Sequence, residues 1–191
     1  MCYTSTNCNI HLPCITQVHN NLIGVIHTIN AFIDLIRAGS TKKVISLSTG
    51  AADLEAILTT GDPSNGPYAM SKAALNMAVV KYANAFKDEG IVFLALSPGV
   101  VLTDTVAHRT SRLYSFHISQ ISNMFFVVCS VIDISPNAYD TLMSTFRKAR
   151  PDFQGPISTE KSVRMQLEVI DKVTLKDTGA YISHHGDKEW L

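Results

Sequence analysis

Tyr68 and Lys72, four residues apart, are the pair in this sequence best suited to moving a proton. Four residues is about one helical turn, so on a helix both side chains share a face, with Cβ atoms roughly 5–6 Å apart. A free phenol ionises near ~10, too high for easy proton exchange at neutral pH. An ammonium beside a phenol favours the phenolate. Such a pair can give a proton to a carbonyl oxygen or take one from an alcohol. Alone the spacing is weak, since Tyr-x-x-x-Lys arises by chance on many amphipathic helices.

The neighbouring elements raise its weight. Val44-Ile45-Ser46-Leu47-Ser48 is a β-rich run, and the pattern predicts a strand over 43–48 that opens into a loop at Thr49-Gly50. Good helix formers from Tyr68 onward predict a helix over 67–88 that carries the pair. The apolar run Ile91 to Leu96 predicts a second buried strand, over 91–97, broken by Pro98-Gly99. Leu22, Val25, Ile26, Ile29, Phe32, Ile33 and Ile36 recur at helical spacing and predict a helix over 18–37, stopped by Gly39. Helical patterns also cover Asn137 to Arg150 and Ser158 or Thr159 to about Lys172, and Gly179 to Ser183 reads as a last strand. Continuous apolar strands alternating with helices imply a parallel sheet covered on both faces. In such a sheet the strand C-termini form the ligand crevice. Three polar signals therefore converge on one edge: Ser48-Thr49, Tyr68/Lys72 and Ser97-Pro98-Gly99.

At these residues the sequence resembles the short-chain dehydrogenase/reductase family. The matching stretches are Asn21 to Gly24, Lys43 to Gly50, Pro67 to Leu75 and Leu96 to Thr103, within about residues 18–106. The stretch Gly155 to Leu191 is similar to the tail of carbonyl-reductase-like members. The resemblance implies an NAD(P)-dependent oxidoreductase that reduces a carbonyl or oxidises a secondary alcohol by hydride transfer. Carried over, Tyr68 is the acid/base and Lys72 its electrostatic partner and donor to the nicotinamide ribose. Thr49 stands where the family usually has the serine that polarises the substrate oxygen; Ser48 is the fallback. Asn21 matches the asparagine that anchors a water link from the lysine. Tyr68, Lys72, Pro98, Gly99, Val101 and Thr103 form the cofactor-binding set, with NADP or NAD as cofactor. The implied fold is a partial Rossmann-like, doubly wound parallel sheet in three αβα layers.

Two departures follow. The family opens with a glycine-rich turn that holds the pyrophosphate at a helix N-terminus. The ten glycines here make no Gly-x-x-x-Gly-x-Gly. The expectation is an N-terminally truncated domain, short of the first mononucleotide-binding half: a non-matching tail over 1–17 and a catalytic portion over 18–191. His108 to Ile134 has neither helical period nor turn logic and reads as an atypical insertion. Both segments carry the pattern expected of read-through from non-coding sequence, and both are expected to lack regular structure. The cofactor has no diphosphate site in such a chain, so the chain as it stands is expected to be inactive. The alternative is a non-catalytic remnant acting as an interaction or oligomerisation module through the apolar faces of the two long helices. An epimerase or dehydratase using the same pair is a distant third.

Composition narrows the partners. With 16 basic and 16 acidic residues, the sequence offers nothing to nucleic acid or an acidic membrane surface. No signal peptide and no run long enough to span a bilayer is visible, so a cytoplasmic protein acting on a small carbonyl or alcohol is expected. Cys2, Cys8 and Cys14 with His11 lack zinc-site spacing, and His184-His185 alone cannot make a tetrahedral site, so no metal is expected.

Overall fold

The computed structural model describes residues 11–102, 125–127 and 136–191. Its centre is a parallel sheet in the order β4-β1-β2-β6, made of β1 (Lys43–Leu47), β2 (Val92–Ser97), β4 (Phe125–Val127) and β6 (Tyr181–Ser183). Alternation along β2 shows why its sequence is apolar throughout. Phe93 and Ala95 point into one core cluster while Leu94 and Leu96 point into another. Val44 and Ile45 of β1 divide between the two faces in the same way.

Helices cover both faces. On one side lie α2 (Gly24–Ala38), which buries Val25, Ile29 and Ile36, and α4 (Gly66–Ala85), which buries Leu75, Val79 and Ala83. On the other lies α6 (Thr159–Lys172), which contributes Val169 and Ile170. Ser158 caps α6 by accepting the Lys161 amide, as a serine N-cap should. The expected three-layer αβα architecture is therefore present. A small second sheet pairs β3 (Val101–Leu102) with β5 (Ile157–Ser158), and α5 (Pro136–Ala149) lies between them in the chain.

Three expectations need correction. The first helix does not begin near residue 18: α1 (His11–Val18) runs into a π-helical turn at His19–Ile23 and on into α2. The missed signal is polar, since Gln17 accepts a hydrogen bond from Asn21 one turn later at 2.8 Å. The loop from Gly50 to Pro67 contains a short helix, α3 (Leu54–Thr60), capped by Asp53 and ended by Gly61 with a left-handed backbone. Its Leu54 and Leu58 face solvent at 79% and 83% exposure, so no buried apolar stripe announced it. Within the stretch expected to be irregular, Phe125–Val127 forms a strand paired with β1; the rest of that stretch, residues 1–10 and Thr103 lie outside the described residues.

Candidate active site

The backbone brings the sequence-identified residues to one edge. β1 and β2 are parallel and in register from Lys43↔Val92 to Leu47↔Leu96, so Ser48-Thr49 and Pro98-Gly99 leave the sheet side by side. Helix α4 packs across that region, and its first turns carry Tyr68 and Lys72.

Lys72 is 1% exposed although it carries an ammonium. A buried charge needs hydrogen-bond partners. Its Nζ donates to the Leu47 carbonyl at 2.7 Å and lies 5.7 Å from the centre of the Tyr68 ring. The cation therefore sits between the half-buried candidate acid/base and the end of the strand that leads to Thr49.

Asn21 lies in the π-helical turn, fully buried. Single π turns inside α-helices recur at functional positions because they redirect side chains and backbone groups. Here the Asn21 amide reaches α4 and donates to Ser71 Oγ at 2.9 Å. Ser71 in turn donates to the Tyr68 carbonyl at 2.7 Å. Asn21 thus meets the helical turn between Tyr68 and Lys72.

The Thr49 backbone is extended, and its Oγ1 accepts the Ala51 amide at 3.3 Å. That bond uses an oxygen lone pair and leaves the hydroxyl proton to be donated. Ser48, the fallback, is 3% exposed and donates to Asn76 Oδ1 at 2.6 Å. Its proton is already committed inside the core.

Pro98 and Gly99 are gripped from two sides. The Pro98 carbonyl accepts from Ser162 Oγ at 2.8 Å, and Ser162 accepts from Gln166 Nε2 at 2.9 Å. Gly99 has φ +82°, and a Cβ there would stand 2.6 Å from His184 Cε1. Glycine is required both by that conformation and by the imidazole against it. His184 is 5% exposed, and its Nδ1 has no hydrogen-bond partner among the described residues. Burial, then the adjacent His185, lowers its pKa to about 4, so the ring is neutral. Val101 is half-buried in β3, paired with Ile157. Among the described residues no group of three or more His, Cys, Asp or Glu side chains could hold a metal ion.

Sequence reasoning missed Ser71, Asn76, Tyr181 and His184. Asn76 was within reach, standing one turn beyond Lys72 on the same helix face. Tyr181 and His184 carry no local signal, because only the sheet brings them to this edge.

Comparison with known proteins agrees with this architecture. The profile of the family described as short chain dehydrogenase matches residues 14–113. The short-chain dehydrogenase/reductase atnB of an Arthrinium species is 37% identical over 171 residues, and the short chain dehydrogenase virK of Hypocrea virens is 34% identical over 173. Each match covers 90% of this chain but 56% of the relative, so the chain spans little more than half the length of these proteins. Among solved structures, the NADPH-bound carbonyl reductase from chicken fatty liver aligns with a TM-score of 0.64 at 17% identity, covering 96% of this chain and 59% of that one. The carbonyl reductase Sniffer of D. melanogaster aligns at 0.60 and 17% identity, covering 93% and 56%. Those two likenesses concern the fold. Among the described residues no helix is long and apolar enough to cross a membrane. With its profile matched over more than half of its length, the chain belongs to the short-chain dehydrogenase family.

Proposed function

We propose that residues 18–191 are the catalytic portion of an NAD(P)-dependent oxidoreductase that reduces a small carbonyl compound or oxidises a secondary alcohol. The observation that carries this reading is the buried Lys72 ammonium, 5.7 Å from the Tyr68 ring and bonded to the β1 end that leads to Thr49. When bound, the nicotinamide supplies or accepts the hydride. Tyr68 gives the substrate oxygen a proton in reduction and takes it back in oxidation. Lys72 stabilises the phenolate between those events. Thr49, its oxygen already engaged by the Ala51 amide, donates a hydrogen bond to the substrate oxygen, keeping its own proton, and fixes that oxygen near Tyr68. Asn21, through Ser71 and the Tyr68 carbonyl, holds the turn that carries both.

The residues present suit the nicotinamide end of the cofactor. Lys72 offers N–H donors, and the Pro98 to Val101 backbone, held by Ser162 and backed by His184, offers a fixed rim. Thr103 belongs to the same proposed set. The 191 residues hold no Gly-x-x-x-Gly-x-Gly turn for a pyrophosphate. Among the described residues Cys14 forms no disulfide, and a cytoplasmic location belongs to the same proposal.

The test is nicotinamide fluorescence and turnover with both cofactors. The 191-residue chain is expected to turn over neither, because the diphosphate and adenosine ends supply most of the binding that places the nicotinamide. Joining it to the first half of a relative such as atnB should confer binding and carbonyl reduction. Tyr68→Phe in that joined chain should remove turnover and leave the melting temperature unchanged. Tight NADPH binding by the chain alone would overturn the inactivity, and full activity of Tyr68→Phe would overturn the acid/base role. A second reading is favoured by Met70 and Met77, 53% and 59% exposed on α4: a module that pairs with a second copy through its long helices. Light scattering on the chain and on Met77→Lys tests the module reading, which expects a dimer that the lysine disrupts.

A further inference from the structure

Three consecutive residues at the end of β1 are each tied down by a different side chain. Lys72 Nζ donates to the Leu47 carbonyl at 2.7 Å. The Ser48 hydroxyl donates to Asn76 Oδ1 at 2.6 Å. The Tyr181 hydroxyl donates to the Thr49 carbonyl. Lys72 and Asn76 come from adjacent turns of α4, but Tyr181 comes from β6, on the far side of β2.

The register explains how a phenol on β6 reaches β1. Ser46, Ala95 and Tyr181 lie in one row across β1, β2 and β6. Side chains in one lateral row point to the same face. Ala95, in the middle and wholly buried, has no atoms beyond Cβ, so the ring can pass over β2. Behind the ring stands Trp190, stacked on Tyr181 with centroids 4.4 Å apart at 23°. Trp190 also lies against Gly50, where an added Cβ would fall 2.6 Å from Trp190 Cβ. The C-terminal residues thus close over the turn that follows Thr49.

We propose that Tyr181 is a positioning residue for Thr49, held by Trp190 and admitted by the small side chain of Ala95. The Thr49 carbonyl accepts from both the Tyr181 hydroxyl and the Ala52 amide, the latter at 3.0 Å, while Thr49 Oγ1 accepts from Ala51. With both oxygens engaged, the β-branched side chain keeps one rotamer and one direction for its remaining proton. Burial, then the Asp53 carboxylate, holds the Tyr181 phenol well above the usual range, so it stays protonated. Asn76 and Ser48 pull the other way, more weakly than burial. The catalytic consequence rests on the oxidoreductase reading; the positioning itself does not.

The test is amide hydrogen exchange on the 191-residue chain. Tyr181→Phe removes one hydroxyl and keeps the ring on Trp190. Exchange at Ala51 and Ala52 should accelerate about fivefold, the factor for one lost hydrogen bond, while the β2 amides stay as they were. Tyr82→Phe is the control. It removes a hydroxyl bonded to Asn30 at 2.6 Å on the same sheet face and should leave Ala51 and Ala52 unchanged. Ala95→Leu should reproduce the Tyr181→Phe pattern with Tyr181 intact, and Ala95→Ser should not. Unchanged exchange at Ala51 and Ala52 in Tyr181→Phe, or equal acceleration across the whole sheet, overturns the proposal. In the joined chain Tyr181→Phe should lower kcat and leave KM alone. Absence of cofactor binding there counts against the oxidoreductase reading only, and leaves the exchange result standing.

Discussion

Asn21 Nδ2 stands 2.9 Å from Ser71 Oγ, and both residues are 0% exposed. Fifty residues separate them in the chain. The bond joins the π-helical turn to the part of α4 that carries Tyr68 and Lys72. Ser71 passes the link on to the Tyr68 carbonyl at 2.7 Å. A shift in the first helix is therefore transmitted to the backbone of the candidate acid/base.

Replacing Asn21 by Leu removes the donor and leaves one buried acceptor, Ser71 Oγ, and one half-buried acceptor, Gln17 Oε1, short of a partner. A buried polar group without a partner costs about 1–3 kcal/mol. Asn21→Leu should lower unfolding free energy by about 2 kcal/mol in urea titration. A loss below about 0.5 kcal/mol would show that water replaces the amide freely.

Lys72 should behave in the opposite sense. Lys72→Met ends the desolvation cost of a buried charge, which opposes the loss of the donor to the Leu47 carbonyl. The two effects offset, and Lys72→Met should stay within about 1 kcal/mol of the wild type. The same change in the joined chain should abolish turnover, since nothing then stabilises the Tyr68 phenolate. A melting temperature that collapses together with activity would assign Lys72 to folding instead.

How far this site was legible follows from where its residues stand in the chain. Tyr68 and Lys72 share one helix, so spacing alone put them on one face. Thr49 and the pair Pro98-Gly99 end strands whose apolar runs are unmistakable, and parallel strands deliver their C-termini to a common edge. Asn21 could be placed on a helix but not in a π turn, because the apolar periodicity begins at Leu22, at the end of that turn, and so records no shift of phase across it. Tyr181 and His184 were illegible, since their roles depend on the lateral register of β6 on β2. The small residue that admits Tyr181, Ala95, reads in sequence as one more apolar strand position. The α3 helix escaped notice for the converse reason: its capping residues Asp53 and Gly61 act locally, while Leu54 and Leu58 bury nothing.

Gly99→Ala meets two obstacles at once. Its φ of +82° disfavours any Cβ, and His184 Cε1 occupies the place where that Cβ would go. Positive-φ substitutions and steric overlap each cost on the order of 1–3 kcal/mol. Gly99→Ala should therefore lose about 2–4 kcal/mol in urea titration. His184→Ala should recover the steric part in the double variant, giving a coupling energy of about 1 kcal/mol or more. Strict additivity would mean that the loop moves away from His184 on its own.

His184 also sets a pH dependence with a definite sign. Its folded pKa, lowered by burial and then by His185, is about 4 against an ordinary 6.5. Asp187 favours its charged form and Lys161 opposes it, but both act more weakly than burial. As pH falls through 6.5, the unfolded chain takes up a proton that the folded chain refuses until about 4. Between those values the unfolded state binds more protons, so stability declines as pH falls, and it levels off for this group below about 4. The full span corresponds to up to about 3 kcal/mol. The window lies above most of the range in which the carboxylates titrate. Urea midpoints for the wild type should therefore drop steadily from pH 7 to pH ~4.5. In His184→Gln the side chain cannot titrate, and the midpoints should stay nearly level over the same range. Parallel slopes in the two proteins would show that the His184 ring takes up its proton in the folded state as readily as in the unfolded one.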